Sequence, residues 1–402
     1  MAVVRAGLAV ALLLAVPAPA AAAPGCAPPS GPVAVGTPLE IAAYAPQRLA
    51  PLATGAGVRV AVLDSGVDAR HPQLRGRVAA GRDLLRRDSD GRRDCVGHGT
   101  GVASVIAAVP AAGTGFRGLA PGATIVPVRV SEQSELGGRA VGARGSAAQF
   151  AAAISWAARH AQVINISLVM TEDDVRVRRA VAAAVKAGVI VVAAAGNAGR
   201  AQDGNPVPFP ASYPGVIGVG AVRADGVRAE YSQRGPYVDV VAFGDGVTVA
   251  AAGRGHRTGQ GTSYAVPYVA ATVALLKQRF PKAGAAEITR RLLASADPAP
   301  TESRDEYGHG LLNPYRALTE ALPGAGTALA EAGPAPQPTV DAVAVAQRRG
   351  AARDRAFWFA AAVLGLLAVG GAAAAAISRA RRPASQAPAS ETPASEGPAA
   401  EA

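Results

Sequence analysis

The chain has 402 residues, half of them hydrophobic, a formal net charge of +11 and only two cysteines. That length and apolar content are enough for a large buried core and exclude a disordered or fibrous polypeptide. The basic charge comes almost wholly from arginine and is scattered, without the clustered arginine and aromatic pattern of a nucleic-acid surface, so it reads as a solvated face and no nucleic-acid partner is expected.

Residues 1–23 carry Arg5, an apolar run from Leu8 to Val16 and small residues up to Ala23. This is the pattern of a secretory signal peptide, cleaved between Ala20 and Ala23. Lipid attachment at Cys26 is a second reading, although Ala23-Pro24-Gly25 lacks the branched aliphatic residue such a site prefers. Residues 24–56 form a proline- and alanine-rich N-terminal extension. In an exported protein, Cys26 and Cys95 are expected to form one disulfide that ties this extension down; two free thiols is the other reading.

Over residues 57–322, apolar runs at Val58–Leu63, Thr124–Val130, Val163–Leu168, Val189–Ala194 and Val216–Val222 alternate with helical stretches at Gly99–Val109, Ala147–His160 and Val175–Ala187. Such alternation predicts an α/β fold, a mostly parallel sheet with helices on both faces, with the active site beyond the C-terminal ends of the strands. A further helix is predicted over Ala285–Ala296. Residues 323–355 are Pro, Ala and Gly-rich and read as a linker. Residues 356–378 are uncharged and apolar, about 34 Å long as a helix and sufficient to span a bilayer, with Phe357, Trp358 and Phe359 as interfacial aromatics. The signal peptide sets the orientation: a single-pass protein of the cell membrane, the 57–322 domain outside and the tail, 379–402, cytoplasmic.

Three motifs carry chemistry. Val60-Ala61-Val62-Leu63-Asp64-Ser65-Gly66 is a buried strand ending in a carboxylate; Val96-Gly97-His98-Gly99-Thr100 sets a histidine before a helix; Gly261-Thr262-Ser263 sets a serine where a helix begins. Taken singly, these are a strand-end acid, a helix-start histidine and a helix-capping serine. Together and in this order they resemble the subtilisin-like serine proteases, and Gly118–Ala123, Val163–Leu168, Ala193–Asn197 and Phe209–Ala221 are similar to further family segments.

The resemblance implies a subtilisin-like three-layer fold and hydrolysis of peptide bonds by Asp64, His98 and Ser263, with Asn197 in the oxyanion site. It also implies that Ser167, Leu168, Ala195 and Gly196 border a protein or peptide substrate, with no metal and no cofactor. Secreted subtilisins usually carry a folded inhibitory propeptide, and residues 24–56 are too short and proline-rich to be one. Several residues depart from the family pattern. Val169-Met170 stand where many subtilisins have glycines and are expected to narrow or reshape the rim of the primary pocket; Gly101 stands where a second histidine is common; Tyr264, Val266 and Tyr268 replace smaller or polar residues. Asp68, His71 and Pro72 are expected to shape the turn after Asp64, and His256 to be exposed and incidental.

The layout as a whole resembles the mycosins, membrane-anchored subtilases associated with type VII secretion in actinobacteria. Two functions follow from that resemblance: an endopeptidase that cuts exported proteins, or a structural subunit of a secretion membrane complex in which proteolysis is secondary.

Overall fold

The computed structural model of the chain describes residues 26, 29–86, 89–136 and 139–321. The expected signal peptide, linker, membrane span and tail lie outside them, and all described residues fall in the first of two units, Met1–Ala325. Among the described residues, no helix is long and apolar enough to cross a membrane.

The strands are β1 (Arg59–Asp64), β2 (Arg82–Asp83), β3 (Thr124–Arg129), β4 (Ser134–Leu136), β5 (Arg139–Val141), β6 (Val163–Ile166), β7 (Ile190–Ala194), β8 (Val216–Val222), β9 (Val240–Phe243), β10 (Asp245–Ala250) and β11 (His256–Gln260). The helices are α1 (Leu39–Tyr44), α2 (Pro46–Leu49), α3 (His98–Ala107), α4 (Ala147–His160), α5 (Val175–Lys186), α6 (Thr262–Arg279), α7 (Ala285–Ala294), α8 (Arg304–Tyr307) and α9 (Pro314–Thr319).

Seven strands form one sheet in the order β2-β3-β1-β6-β7-β8-β9, every pair parallel. Its central strands are continuous apolar runs because both faces are covered. The period-2 alternation of a strand divides them: Val60 and Val62 of β1 pack with α3 and α6, whereas Ala61 and Leu63 pack with α4 and α5. Helix α6 is apolar all round, and Thr262 to Leu276 are buried throughout, as a helix in the middle of a core must be. Helix α4 starts on a capping box between Ser146 and Gln149, and α5 on the Asp174 carboxylate. The short strand β9 and the hairpin β10–β11 were not expected from the apolar pattern.

The N-terminal extension packs into this same unit. Ile41, Tyr44 and Leu49 are buried, and the Glu40 carboxylate accepts the Thr248 N–H at 2.8 Å. The Gln278 side-chain oxygen accepts the N–H groups of Thr54 and Gly55 at 2.7 and 2.6 Å, which fixes the approach to β1. Further upstream, the Gly31 N–H donates to Arg254 O at 3.0 Å and the His256 N–H to Pro32 O at 2.8 Å. Cys26 and Cys95 form a disulfide with Cα atoms 5.1 Å apart.

One expectation is corrected here. His256 is not exposed: it is buried at 4% exposure, its Nδ1 accepts the Ala34 N–H at 3.0 Å, and its Nε2 lies 2.7 Å from the Gln73 side-chain oxygen. The extension covers this ring, and nothing in the local sequence around residue 256 announces a partner more than two hundred residues away.

Candidate active site

Asp64 ends β1, at the C-terminal edge of the sheet, and is 1% exposed. His98 opens α3, and Ser263 lies in the first turn of α6. His98 Nδ1 lies 2.7 and 2.9 Å from the two Asp64 oxygens, and His98 Nε2 lies 3.0 Å from Ser263 Oγ. A carboxylate only accepts, so Nδ1 carries the proton and Nε2 is left to accept from the serine hydroxyl. Burial alone would lower the His98 pKa, but the Asp64 charge and hydrogen bond outweigh it, and the imidazole titrates above the usual histidine value.

Asn197 follows β7 by three residues. Its Oδ1 accepts from both the N–H and the hydroxyl of Thr262, each at 2.9 Å, which leaves the amide nitrogen as the outward-facing donor. Gly261, with φ +135°, lies between the two functional groups: a Cβ there would sit 3.1 Å from both Asn197 Nδ2 and Ser263 Oγ. A side chain there would crowd the nucleophile and the donor together, so only glycine leaves both free to face a substrate. The Ser263 N–H belongs to the first turn of α6, where no helical acceptor exists, and the dipole of that turn favours a negative charge.

Ser167, expected at the substrate, lines the cleft above the triad, and its side chain also braces the helix of the nucleophile. Its hydroxyl donates to the Ser263 carbonyl at 2.9 Å and accepts from Asn165 Nδ2 at 2.9 Å. The reason lies four residues downstream: Pro267 has no N–H with which to close the helical bond to Ser263 O, and Ser167 supplies the missing donor. Leu168 and Val169 line the cleft above the triad, about 410 Å³ in volume, together with Arg144, Ala194, Asn197 and Gln233. Leu168, Arg144 and Thr171 also line an adjoining pocket of about 220 Å³ that includes Val130, Phe150 and Met170. Ala195 and Gly196 are buried behind the cleft, flanked in sequence by the lining residues Ala194 and Asn197.

Four residues near the site were not foreseen: Asp94, Gln233, Arg144 and Arg257. Asp94 is 1% exposed and accepts from Ser65 Oγ, the N–H groups of Val96, Gly97 and Thr100, and Thr100 Oγ1, at 2.7 to 3.0 Å. Burial raises its carboxyl against the pull of these donors. It holds the loop that ends at His98, and its place four residues before the histidine was the available signal. Asp68, by contrast, sits where a turn-shaping residue is expected, with its carboxylate accepting the N–H groups of Arg70 and Gly253, each at 3.0 Å.

A parallel sheet presenting an aspartate at a strand end, with a histidine and a serine each in the first turn of a helix, defines a serine hydrolase of the subtilisin type. The profile of the subtilase family matches residues 55–310, and the chain belongs to that family of serine peptidases. Within it the chain is mycosin-like. It is 35% identical over 323 residues to mycosin-4 of Mycobacterium tuberculosis, covering 71% of this chain and 70% of that protein. It is 37% identical over 264 residues to a thermostable alkaline protease of Halalkalibacterium halodurans, covering 65% of this chain and 68% of that protease. The crystal structure of MycP1 from the ESX-1 type VII secretion system superimposes with a TM-score of 0.63 at 30% identity, covering 74% of this chain and 90% of that one.

Proposed function

We propose that this chain is a membrane-anchored serine endopeptidase, its peptidase domain outside the cell membrane, that cuts exported proteins alongside a type VII secretion system. The single observation that carries the reading is the His98 imidazole bonded at one nitrogen to Asp64 and at the other to Ser263. The likeness to MycP1 from the ESX-1 type VII secretion system supports the secretion context, and the apolar stretch 356–378 supports the anchor.

In this mechanism Ser263 Oγ attacks the peptide carbonyl carbon while His98 Nε2 takes the hydroxyl proton. Asp64 keeps the imidazole in the required tautomer and stabilises the imidazolium. The developing oxyanion accepts from Asn197 Nδ2 and the Ser263 N–H. His98 then delivers its proton to the leaving amine, and water repeats the sequence on the acyl-enzyme. Asn197→Ala is expected to lower kcat by ~100- to 1000-fold with little change in KM, because the lost donor acts on charge that exists only in the transition state.

The pH dependence follows from His98. The reaction needs the neutral imidazole, and the folded-state pKa lies above the ordinary 6.5, so the acid limb of kcat/KM is expected above pH 6.5. Stability shows the opposite trend: the imidazolium–Asp64 pairing contributes fully below the unfolded pKa and is lost as pH rises through the folded one. Activity therefore appears across the window in which that contribution fades, which a stability titration beside the rate profile would check.

Labelling of the full-length chain with a fluorophosphonate serine-hydrolase probe, beside Ser263→Ala, tests the chemistry. Label on the parent alone supports it; a folded parent that takes no label sinks it. Secretion that survives Ser263→Ala but fails on deletion of the whole chain would make the structural role the main one.

A further inference from the structure

Tyr264, the residue after the nucleophile, is buried, and its ring centroid lies 5.0 Å from that of His98 with 50° between the planes. Its hydroxyl bonds a guanidinium nitrogen of Arg257 on β11, and that same nitrogen donates to the Gly97 carbonyl at 3.2 Å. The Gly97 carbonyl also accepts a helical bond of α3, from the Gly101 N–H at 3.1 Å. One guanidinium thus links the residue before His98 to the residue after Ser263.

Two glycines make room for this ring. A Cβ on Gly101 would sit 3.3 Å from Tyr264 Cε1, and one on Gly259 would sit 3.0 Å from three ring carbons. The departures from the family pattern at positions 101 and 264 therefore adjoin: a side chain on Gly101 would press on both Val249 and the tyrosine of α6.

We propose that Tyr264 and Arg257 are positioning residues for His98: the ring holds the imidazole against Asp64 and Ser263, and the guanidinium anchors that ring to the Gly97 carbonyl and sets a positive charge behind it. The proposal rests on the reading of His98 as general base. The charged and titratable groups facing the imidazole are Asp64 on β1, Asp94 in the loop before α3, Arg257 on β11 and Tyr264 on α6. Burial disfavours the imidazolium, both carboxylates favour it, and among these charged groups Arg257 is the one that opposes it. Burial raises the Tyr264 phenol to about 12, so it stays uncharged through the working range. The Arg257 guanidinium carbon lies 5.5 Å from the centroid of the ring that touches the imidazole, and a cation one ring removed from a half-buried group shifts it by ~0.3 to ~1 pH unit.

Two readouts on the full-length chain test this: the fluorophosphonate labelling rate against pH, and an NMR titration of the His98 ring in a Ser263→Ala background, which needs no activity. Arg257→Gln is expected to move the His98 midpoint upward by ~0.3 to ~1 pH unit in both, while Arg257→Lys stays within ~0.2 of the parent. Tyr264→Leu is expected to lower the plateau labelling rate ~10-fold or more, and Tyr264→Phe, which keeps the ring, to lower it less. Should Arg257→Gln fail to fold, Arg257→Met, which also removes the charge and keeps the apolar stem, repeats the titration with the same upward direction expected. An NMR midpoint unmoved in the folded variant overturns the role of the charge, and parental labelling by Tyr264→Leu overturns the role of the ring. A parent that never labels, with an NMR midpoint that still shifts, means that the catalytic reading has failed and the coupling of Arg257 to His98 has not.

Discussion

Alanine at Ser263 or at His98 is expected to lower kcat on a peptide amide by about a million-fold, and the double variant to fall no further. The geometry gives the reason. Ser263 Oγ and His98 Nε2 are 3.0 Å apart and share one proton transfer, so removing either ends the same step. Asp64→Ala is expected to cost less, about ten-thousand-fold, because it acts only through the imidazole. What survives comes from the donors at the oxyanion site, which these substitutions leave in place. Single-turnover measurement on the purified chain, with circular dichroism to verify the fold, checks the order. Losses that multiply in the double variant would mean that the two residues do not act as a unit.

The parts of the fold legible in the sequence are those set by contiguous residues. The runs that became β1, β3, β6, β7 and β8 are apolar on both faces because helices cover the sheet on both sides, so composition alone marked them. β9 and the hairpin β10–β11 were missed, since four residues at a sheet edge and a polar-interleaved hairpin carry no such run. Asp64, His98 and Ser263 were legible as motifs because each sits at an element boundary that the local sequence announces. The place of Asn197 beyond a strand end was legible in the apolar pattern, but its role only through the family resemblance, as nothing in a turn asparagine says that its oxygen will be claimed by Thr262.

Partners distant along the chain are a different matter. The bond from Ser167 to the Ser263 carbonyl joins residues 96 apart, yet half its logic was visible: a proline four residues after Ser263 leaves that carbonyl without a helical donor. What periodicity cannot supply is which side chain fills the gap. The same holds for Arg257, whose position between Gly97 and Tyr264 exists only once β11 and α3 are packed.

Replacing Cys26 and Cys95 by serine is expected to lower the unfolding free energy by about 4 kcal/mol, the chain-entropy value for a loop of this size. The bridge closes a separation of 69 residues, and the released segment contains no other covalent tie. The folded state should nonetheless keep the extension in place, because Ile41, Tyr44 and Leu49 remain buried and Gly31, Glu40 and His256 keep their hydrogen bonds. The loss should therefore show in the denaturation midpoint far more than in the native structure. Catalysis should fall less than tenfold. Cys95 adjoins Asp94, but the five donors that reach that carboxylate hold the His98 loop without the sulfur. Urea unfolding of oxidised and serine variants, with kcat measured on the same samples, separates the two effects. A stability change below about 1 kcal/mol would mean that the extension's non-covalent contacts already order the unfolded chain, and a large drop in kcat would mean that the Asp94 loop depends on the bridge after all.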